Sequence, residues 1–106
     1  MSYNLRNLFQ TPTYVAGVAI ADQRLSVADT AVPFATAFNA TTDTVLLDVQ
    51  TADVMVTFDG SDPTTSNGHR IYAGQAFTWG KAAAQRARFI RATGTSAVIH
   101  ASEFQM

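Results

Sequence analysis

Cysteine is absent from this 106-residue chain, which excludes disulfides and thiolate metal sites. Charge is scarce as well. Asp, Glu, Lys and Arg together make up 14% of the residues, against about 25% in an ordinary soluble domain. Lys81 is the single lysine and Glu103 the single glutamate. The surface must therefore be built mostly of Thr, Ser, Asn, Gln and Ala, whereas a lone soluble monomer usually carries more charge to stay dispersed. That deficit points to a surface that sits largely against neighbouring subunits. No apolar run approaches about 18–20 residues, so no membrane-spanning helix is expected. The N-terminal stretch MSYNLRNLFQ lacks the apolar core of a signal peptide. The chain is accordingly expected to be made and kept in a cytosol, or in a particle assembled there.

A net charge of −1 gives no support for a nucleic-acid binder or a polybasic membrane binder. The charge is unevenly spread. Residues 1–62 carry Arg6 and Arg24 against seven aspartates, while residues 63–106 carry five basic side chains against Glu103. The two halves can pair within the fold, the simpler reading, or meet between copies.

What is present is β-type text. After an arm at residues 1–12, in which Leu5, Leu8 and Phe9 fall at i, i+3 and i+4 and Pro12 stops any helix, the composition turns to Val, Ile, Thr and aromatics. Asp, Asn, Gly and Pro break it into short runs. Candidate strands lie at 14–20, 24–28, 44–49, 54–58, 69–72, 76–79, 86–92 and 96–102. Alternation puts Val45, Leu47 and Val49 on one face, and sets Val54, Val56 and Phe58 opposite Met55 and Thr57. The segment RFIRATGTSAVIHASEF reads as two strands around a Thr93-Gly94-Thr95 hairpin turn. Only GKAAAQRA has helical character, through Ala82, Ala83, Ala84 and Gln85. Phe34 and Phe38 could pin the stretch TAVPFATAFNATT as a loop or an edge strand. Residues 13–106 are thus expected to form one all-β domain, a small antiparallel β-sandwich of jelly-roll or immunoglobulin-like type.

Few residues suggest chemistry. Asp59 and Asp62 flank Gly60 and Ser61, but a calcium loop needs about six oxygens and a closing acidic residue. No Asp or Glu follows Asp62 until Glu103, so a strand-end turn is the expectation. His69 and His100 are the only histidines, and their spacing supplies no third metal ligand. His69 is expected to hydrogen-bond at a strand start, and His100 to be packed or half exposed. No G-x-S-x-G, G-x-G-x-x-G or G-x-x-x-x-G-K occurs, so a nucleophile elbow, a dinucleotide fold and a P-loop all lack a frame. The expectation is a non-enzymatic protein with no metal and no cofactor. Arg86 and Arg88 would share a strand face with Arg91 opposite, which makes no continuous phosphate track; pairing with aspartates of another copy is the better expectation. Tyr72, Phe77 and Trp79 near Gly74 and Gly80 could form a sugar platform, with His69 beside it, although such aromatics are more often core and rim residues. The loop shaped by Gly60, Pro63, Asn67 and Gly68 is a candidate contact surface, together with Leu5, Leu8, Phe9, Asp59, Asp62, Asn67, His69, Arg70, Arg86 and Arg88.

The stretch VMVTFDGSDPTTSNGHRIYAGQAFTWG, followed by ARFIRATGTSAVIHASEFQ, resembles small β-proteins encoded among the virion structural genes of tailed bacteriophages and prophages. The shared pattern runs from a strand ending in a Thr-Phe-Asp-Gly turn, through a Pro/Thr/Ser loop and Asn-Gly, to a Gly before an aromatic. A strand fitted by Phe89-Ile90-Arg91, a Gly-Thr turn and a last strand complete it over about residues 43–104. The resemblance implies a non-enzymatic virion component on the capsid surface, a decoration (cement) protein first and a neck, tail or head-fibre part second. It implies partners in the major capsid protein and in further copies of the chain, as a dimer or trimer, with no nucleic acid and no membrane. It brings no catalytic residues. A carbohydrate- or receptor-binding β-module is the alternative from another class.

Overall fold

The computed structural model describes residues 17–106, which form two antiparallel sheets packed face to face. The arm and its Leu5, Leu8 and Phe9 lie outside the described residues. β1 (Val18–Val27), β7 (Ala97–Gln105), β2 (Thr44–Gln50) and β5 (Ala76–Gly80) lie in that order in one sheet. β4 (His69–Ile71), β3 (Val54–Thr57) and β6 (Arg88–Arg91) make the other, and a short helix α1 (Lys81–Arg86) joins β5 to β6. The expected all-β sandwich is what forms.

Period-two sequence is what selects this architecture, because alternate side chains leave opposite faces of a strand. Cross-strand register then stacks the inward positions in rows. Leu25, Ile99 and Val49 form one row, Ala101, Leu47 and Phe77 the next, and Glu103, Val45 and Trp79 a third. Val54, Val56, Ile71 and Phe89 come from the facing sheet to complete the core. The segment between β1 and β2 runs along the β1/β6 side of the sandwich, bonded through Val32 to Phe89, through Thr36 to Gln23 and through Asn39 and Thr42 to Glu103. Phe34 and Phe38 anchor it, with Phe34 edge-on to Phe89 at 5.3 Å.

Strand order decides between the two expected arrangements. An immunoglobulin sandwich pairs its strands as ABED and CFG, whereas here the first and last strands pair and lie beside the second and fifth. Val32 adds a rudimentary strand to the outer side of β6 through paired bonds with Phe89 (2.9 and 2.8 Å). Counting it gives four strands on four, with the connectivity of a jelly roll.

Three expectations are corrected. Strands proposed at 14–20 and 24–28 merge into one β1 from Val18, with an irregularity between Ala19 and Ala21; residues 14–16 lie outside the described part. The Thr93-Gly94-Thr95 turn does not make a hairpin: β6 and β7 belong to different sheets, so the segment is a crossover. A flexible Gly-Thr turn serves either purpose, and the choice is made by β7 finding its partners in β1 and β2. Arg86 is not in a strand with Arg88 but closes α1, whose Ala84 is buried under the sheets. The β2–β3 crossover is tight, with Ala52 N–H bonding Gln50 O at 2.9 Å around Thr51 at φ 78°. That is a γ-turn geometry, strained for a β-branched residue.

Candidate functional site

The 58–68 loop begins where β3 leaves the sheet. Asp59 accepts from the Ser61 N–H (3.0 Å) and Ser61 Oγ (2.5 Å), and Gly60 takes φ 88°. This is the turn that the Asp-Gly-Ser spelling predicts, because a short carboxylate side chain can imitate a backbone acceptor. The Ser61 hydroxyl first, and its amide second, hold the Asp59 carboxyl below the usual carboxylate range. Among the described residues no group of three or more His, Asp or Glu side chains is placed to hold a metal ion.

The loop then folds back across its own sheet. Arg86 donates to the carbonyls of Phe58 (3.2 Å) and Asp59 (2.8 Å). Arg88 donates to Asp62 (2.6 Å) and to the Ala31 carbonyl (3.3 Å). Pro63 is fully buried, and Thr64 and Asn67 close a small turn by mutual backbone bonds (2.9 and 3.3 Å). Met55, on the outward phase of β3, is buried as well. Arg86 and Arg88 thus bond within their own chain. With Arg70–Asp53 at 2.7 Å, two of the basic residues of the second half pair with aspartates of the first.

Gly68 ends the loop at φ 136°, where an added Cβ would stand 2.9 Å from the Val56 carbonyl oxygen and 3.4 Å from Pro63 Cβ. Gly68→Ala should therefore combine backbone strain with a backbone clash and cost about 2 kcal/mol. Its urea midpoint relative to the parent chain is the check, and an unchanged midpoint would refute this account of the loop.

Asp53 ties the second edge connection. Its carboxylate accepts from Ala73 N–H (2.8 Å) in the β4–β5 turn and from Arg70 Nη2 (2.7 Å). The Ala73 amide, then Arg70, hold its carboxyl below the usual range. A carboxyl depressed in the folded state stabilises above its unfolded value of about 4, and this contribution is lost as pH falls through the lower folded value. Asp53→Asn should weaken the fold at neutral pH and flatten the fall in urea midpoint between pH 5 and pH 2 (roughly the window over which a lowered carboxyl titrates). Parallel pH curves for the two proteins would contradict it.

Between these ties the sandwich is open. β5 is the edge of the four-stranded sheet and β4 the edge of the three-stranded one, and they lie on the same side of the molecule because the Tyr72–Gln75 turn joins them directly. Phe58, His69, Ile71, Phe77 and Trp79 line a depression of about 260 Å³ there. A second, of about 540 Å³, runs on from Phe58 and His69 past Asp59, Ser61 and Asn67. The two adjoin at Phe58 and His69. Phe58, Phe77 and Trp79 are half-buried at the mouth of the first, while Ile71 forms its floor.

The structure therefore brings Asp59, Asn67 and His69 to one hollow and His69, Arg70, Phe77 and Trp79 to the adjoining one, and leaves Tyr72 apart. Tyr72 is 55% exposed on the connecting turn, with the Arg70 guanidinium 5.2 Å above its ring. Trp79 lies parallel to Phe89 (6.2 Å) and meets the edge of Phe58 at 4.8 Å, so its ring is engaged inside the sandwich. Tyr72, Phe77 and Trp79 do not make one flat platform. On the outer face of the four-stranded sheet, His100 is half-exposed, 3.5 Å from Asp22, and Ser102 donates to the same carboxylate. The carboxylate is thus in the middle, whereas nucleophilic activation needs the imidazole there.

Two groove-lining positions escape motif reading, and one buried carboxylate goes unread. Phe58 and Ile71 have core spelling, and only the edge position of β4 turns them into groove lining. Glu103 is a buried carboxylate (2% exposed) accepting from Asn39 N–H (2.8 Å), Asn39 Nδ2 (3.2 Å) and Thr42 Oγ1 (2.7 Å). Its signal was legible: it occupies the inward phase of Ala97, Ile99 and Ala101. Among the described residues no helix is long and apolar enough to cross a membrane. Comparison with protein-family models, curated proteins and solved structures gives no match to this chain.

Proposed function

We propose that the chain is a non-enzymatic structural protein of a tailed-bacteriophage virion, a capsid decoration protein that stabilises the head by bridging capsid subunits. The observation that carries this reading is the open β4/β5 side of a jelly-roll sandwich whose surface is poor in charge. Unpaired strand edges invite pairing with other chains and are normally blunted with lysine or proline. β5 contains neither, while β4 is three residues long and carries Arg70. A closed symmetric shell supplies partners for such edges at fixed positions. Many weak contacts repeated over a lattice then hold a subunit that would bind poorly alone. The likeness of residues 43–104 to virion β-proteins points the same way. The chain would be made in the host cytoplasm and act on the capsid surface, against the major capsid protein and further copies of itself.

The test is rebinding to particles. Purified protein mixed with bare capsids should co-sediment saturably, at a stoichiometry that follows the shell symmetry, and should raise the temperature at which the heads release their contents. Failure to co-sediment with heads overturns the decoration reading; co-sedimentation with isolated tails or necks assigns the chain to that position instead. Saturable perturbation of Trp79 fluorescence by a glycan, with no particle binding, would favour the carbohydrate-binding module.

A further inference from the structure

We propose that β5 is a self-association edge. Two copies of the chain pair their β5 strands antiparallel about a two-fold axis at Thr78, which joins their four-stranded sheets into one continuous sheet. This deepens the virion reading by naming where copies join, while the contact itself needs no particle and is tested on purified protein.

The two sides of the sandwich differ. The outer edge of β6 is covered by the 28–32 segment, through the Val32–Phe89 pair and Arg91 N–H to Ala28 O at 3.0 Å. No strand or bridge among the described residues pairs with the outer edge of β5. What that edge offers follows from register. At the two ends of the β2–β5 ladder, Val49 N–H donates to Gln75 O (3.0 Å) and Lys81 N–H to Asp43 O (3.1 Å). Bonded and non-bonded positions alternate along an antiparallel pair, so the odd residues Phe77 and Trp79 direct their backbone groups to β2 as well. The N–H and C=O groups of Ala76, Thr78 and Gly80 therefore point outward. Their two-residue spacing is the one an added antiparallel strand needs.

The symmetry of the edge points to its own twin as the occupant. Outward positions centred on Thr78 are self-complementary: about a two-fold axis Thr78 faces the partner's Thr78, and Ala76 faces the partner's Gly80, each as a bonded pair. Their side chains share the outer face of the sheet and are small enough for a twin strand to approach. The Thr78 hydroxyl is buried and has no hydrogen-bond partner, a state uncommon for buried polar atoms. Threonines directly opposed on neighbouring strands can bond each other. On the inner face, the same register sets Phe77 of each copy against the partner's Trp79 at the non-bonded positions, where side chains come closest. Phe77 and Trp79 are half-buried at the hollow of about 260 Å³, so pairing covers that apolar surface with aromatic surface. Electrostatics does not oppose the contact. β5 carries no charged residue, and Arg70 on the adjoining edge is already paired with Asp53 at 2.7 Å.

Because the chain has no cysteine, an introduced thiol reports the register without background. At a bonded antiparallel pair the Cα atoms stand about 5.5 Å apart, inside the span a disulfide bridges. Under mild oxidation, full-length Thr78→Cys should form a linked dimer at least about fivefold faster than Ser26→Cys, an exposed position on β1, because its twin raises the effective thiol concentration. An equimolar mixture of Ala76→Cys and Gly80→Cys should likewise link faster than either variant alone. Sedimentation equilibrium reads the reversible contact. The parent chain should be a dimer, whereas Thr78→Lys and Thr78→Glu, which each oppose like charges, should be monomers that recover the dimer when mixed. If a charge variant fails to fold, the cysteine variants, close to threonine in size, decide. A monomeric parent, or a Thr78→Cys rate no higher than the control, overturns the proposal. So does a dimer that persists in a folded Thr78→Lys variant. If a monomeric parent became the Thr78-linked dimer only on deletion of residues 2–11, the arm would be the occupant of this edge and the proposal would fall. Linked pairs together with no binding to capsids would leave this interface standing and remove the virion reading.

Discussion

Replacing Phe89 with alanine should lower the stability of the chain by about 4 kcal/mol, the cost usual for removing a fully buried aromatic ring. Phe89 is completely inaccessible and belongs to β6, beside β3 in the second sheet. Phe34 meets its ring edge-on at 5.3 Å and Trp79 lies parallel to it at 6.2 Å. Its backbone also carries both bonds to Val32. Truncation would thus leave a void shared by three elements, one of them a loop with no ladder of its own to keep it in place. For a domain of this size, total stability is only about 5–15 kcal/mol, and the loss corresponds to a fall in melting temperature of roughly 20 °C. The single tryptophan supplies a local readout: Trp79 emission should move to longer wavelength as water reaches the vacated face. Phe89→Leu, which keeps most of the volume, should cost well under half as much. A loss below about 1 kcal/mol for the alanine variant would mean that the ring is not the packing centre described, since only an exposed or already loosely packed site is that tolerant.

How far the sequence led can be judged from particular residues. Val45, Leu47, Val49, Val54, Val56 and Phe89 were legible as core because a strand exposes alternate faces whatever it pairs with. The short helix was legible because three alanines follow Lys81 and nothing in that run favours a strand. The Asp59 turn was legible because its hydrogen bonds lie within two residues. Pairing was not legible. Thr93-Gly94-Thr95 has the same chemistry in a hairpin as in a crossover, and the difference lies in β7 bonding to β1 and β2, far away in sequence. Arg88 and Asp62 are 26 residues apart, so nothing local shows that the 58–68 loop folds back over its own sheet. The groove was half legible: its aromatics were evident, but whether an aromatic is core or mouth depends on which strand is the edge.

Glu103→Ala should be the second most damaging change, at about 3 kcal/mol, although it removes no large apolar side chain. The carboxylate sits at the inward position of β7, between Ala21 and Val45 in the cross-strand row. Isolated, it could not remain charged there at tolerable cost. It is compensated by three donors from one short segment: the Asn39 amide, the Asn39 side chain and the Thr42 hydroxyl, all reaching one oxygen. Hydrogen bonds to a charged acceptor contribute about 1.5–3 kcal/mol each, but three on one oxygen are not additive, and Asn39 is exposed enough to recover water. Thr42 is not, since it is buried with its hydroxyl aimed at the vacated site. The loss should therefore be local as well as global. Amide exchange at Asn39 should accelerate in the alanine variant by more than the global destabilisation requires, while Ile99, in the centre of the same strand, tracks the global change. Glu103→Gln retains an oxygen acceptor but loses charge assistance, which roughly halves the strength of such bonds. It should fall between the alanine variant and the parent. If Gln proved as damaging as Ala, the role of Glu103 would reside in its charge alone; if Ala were nearly silent, the 39–42 segment would be held by Phe38 packing without the clamp.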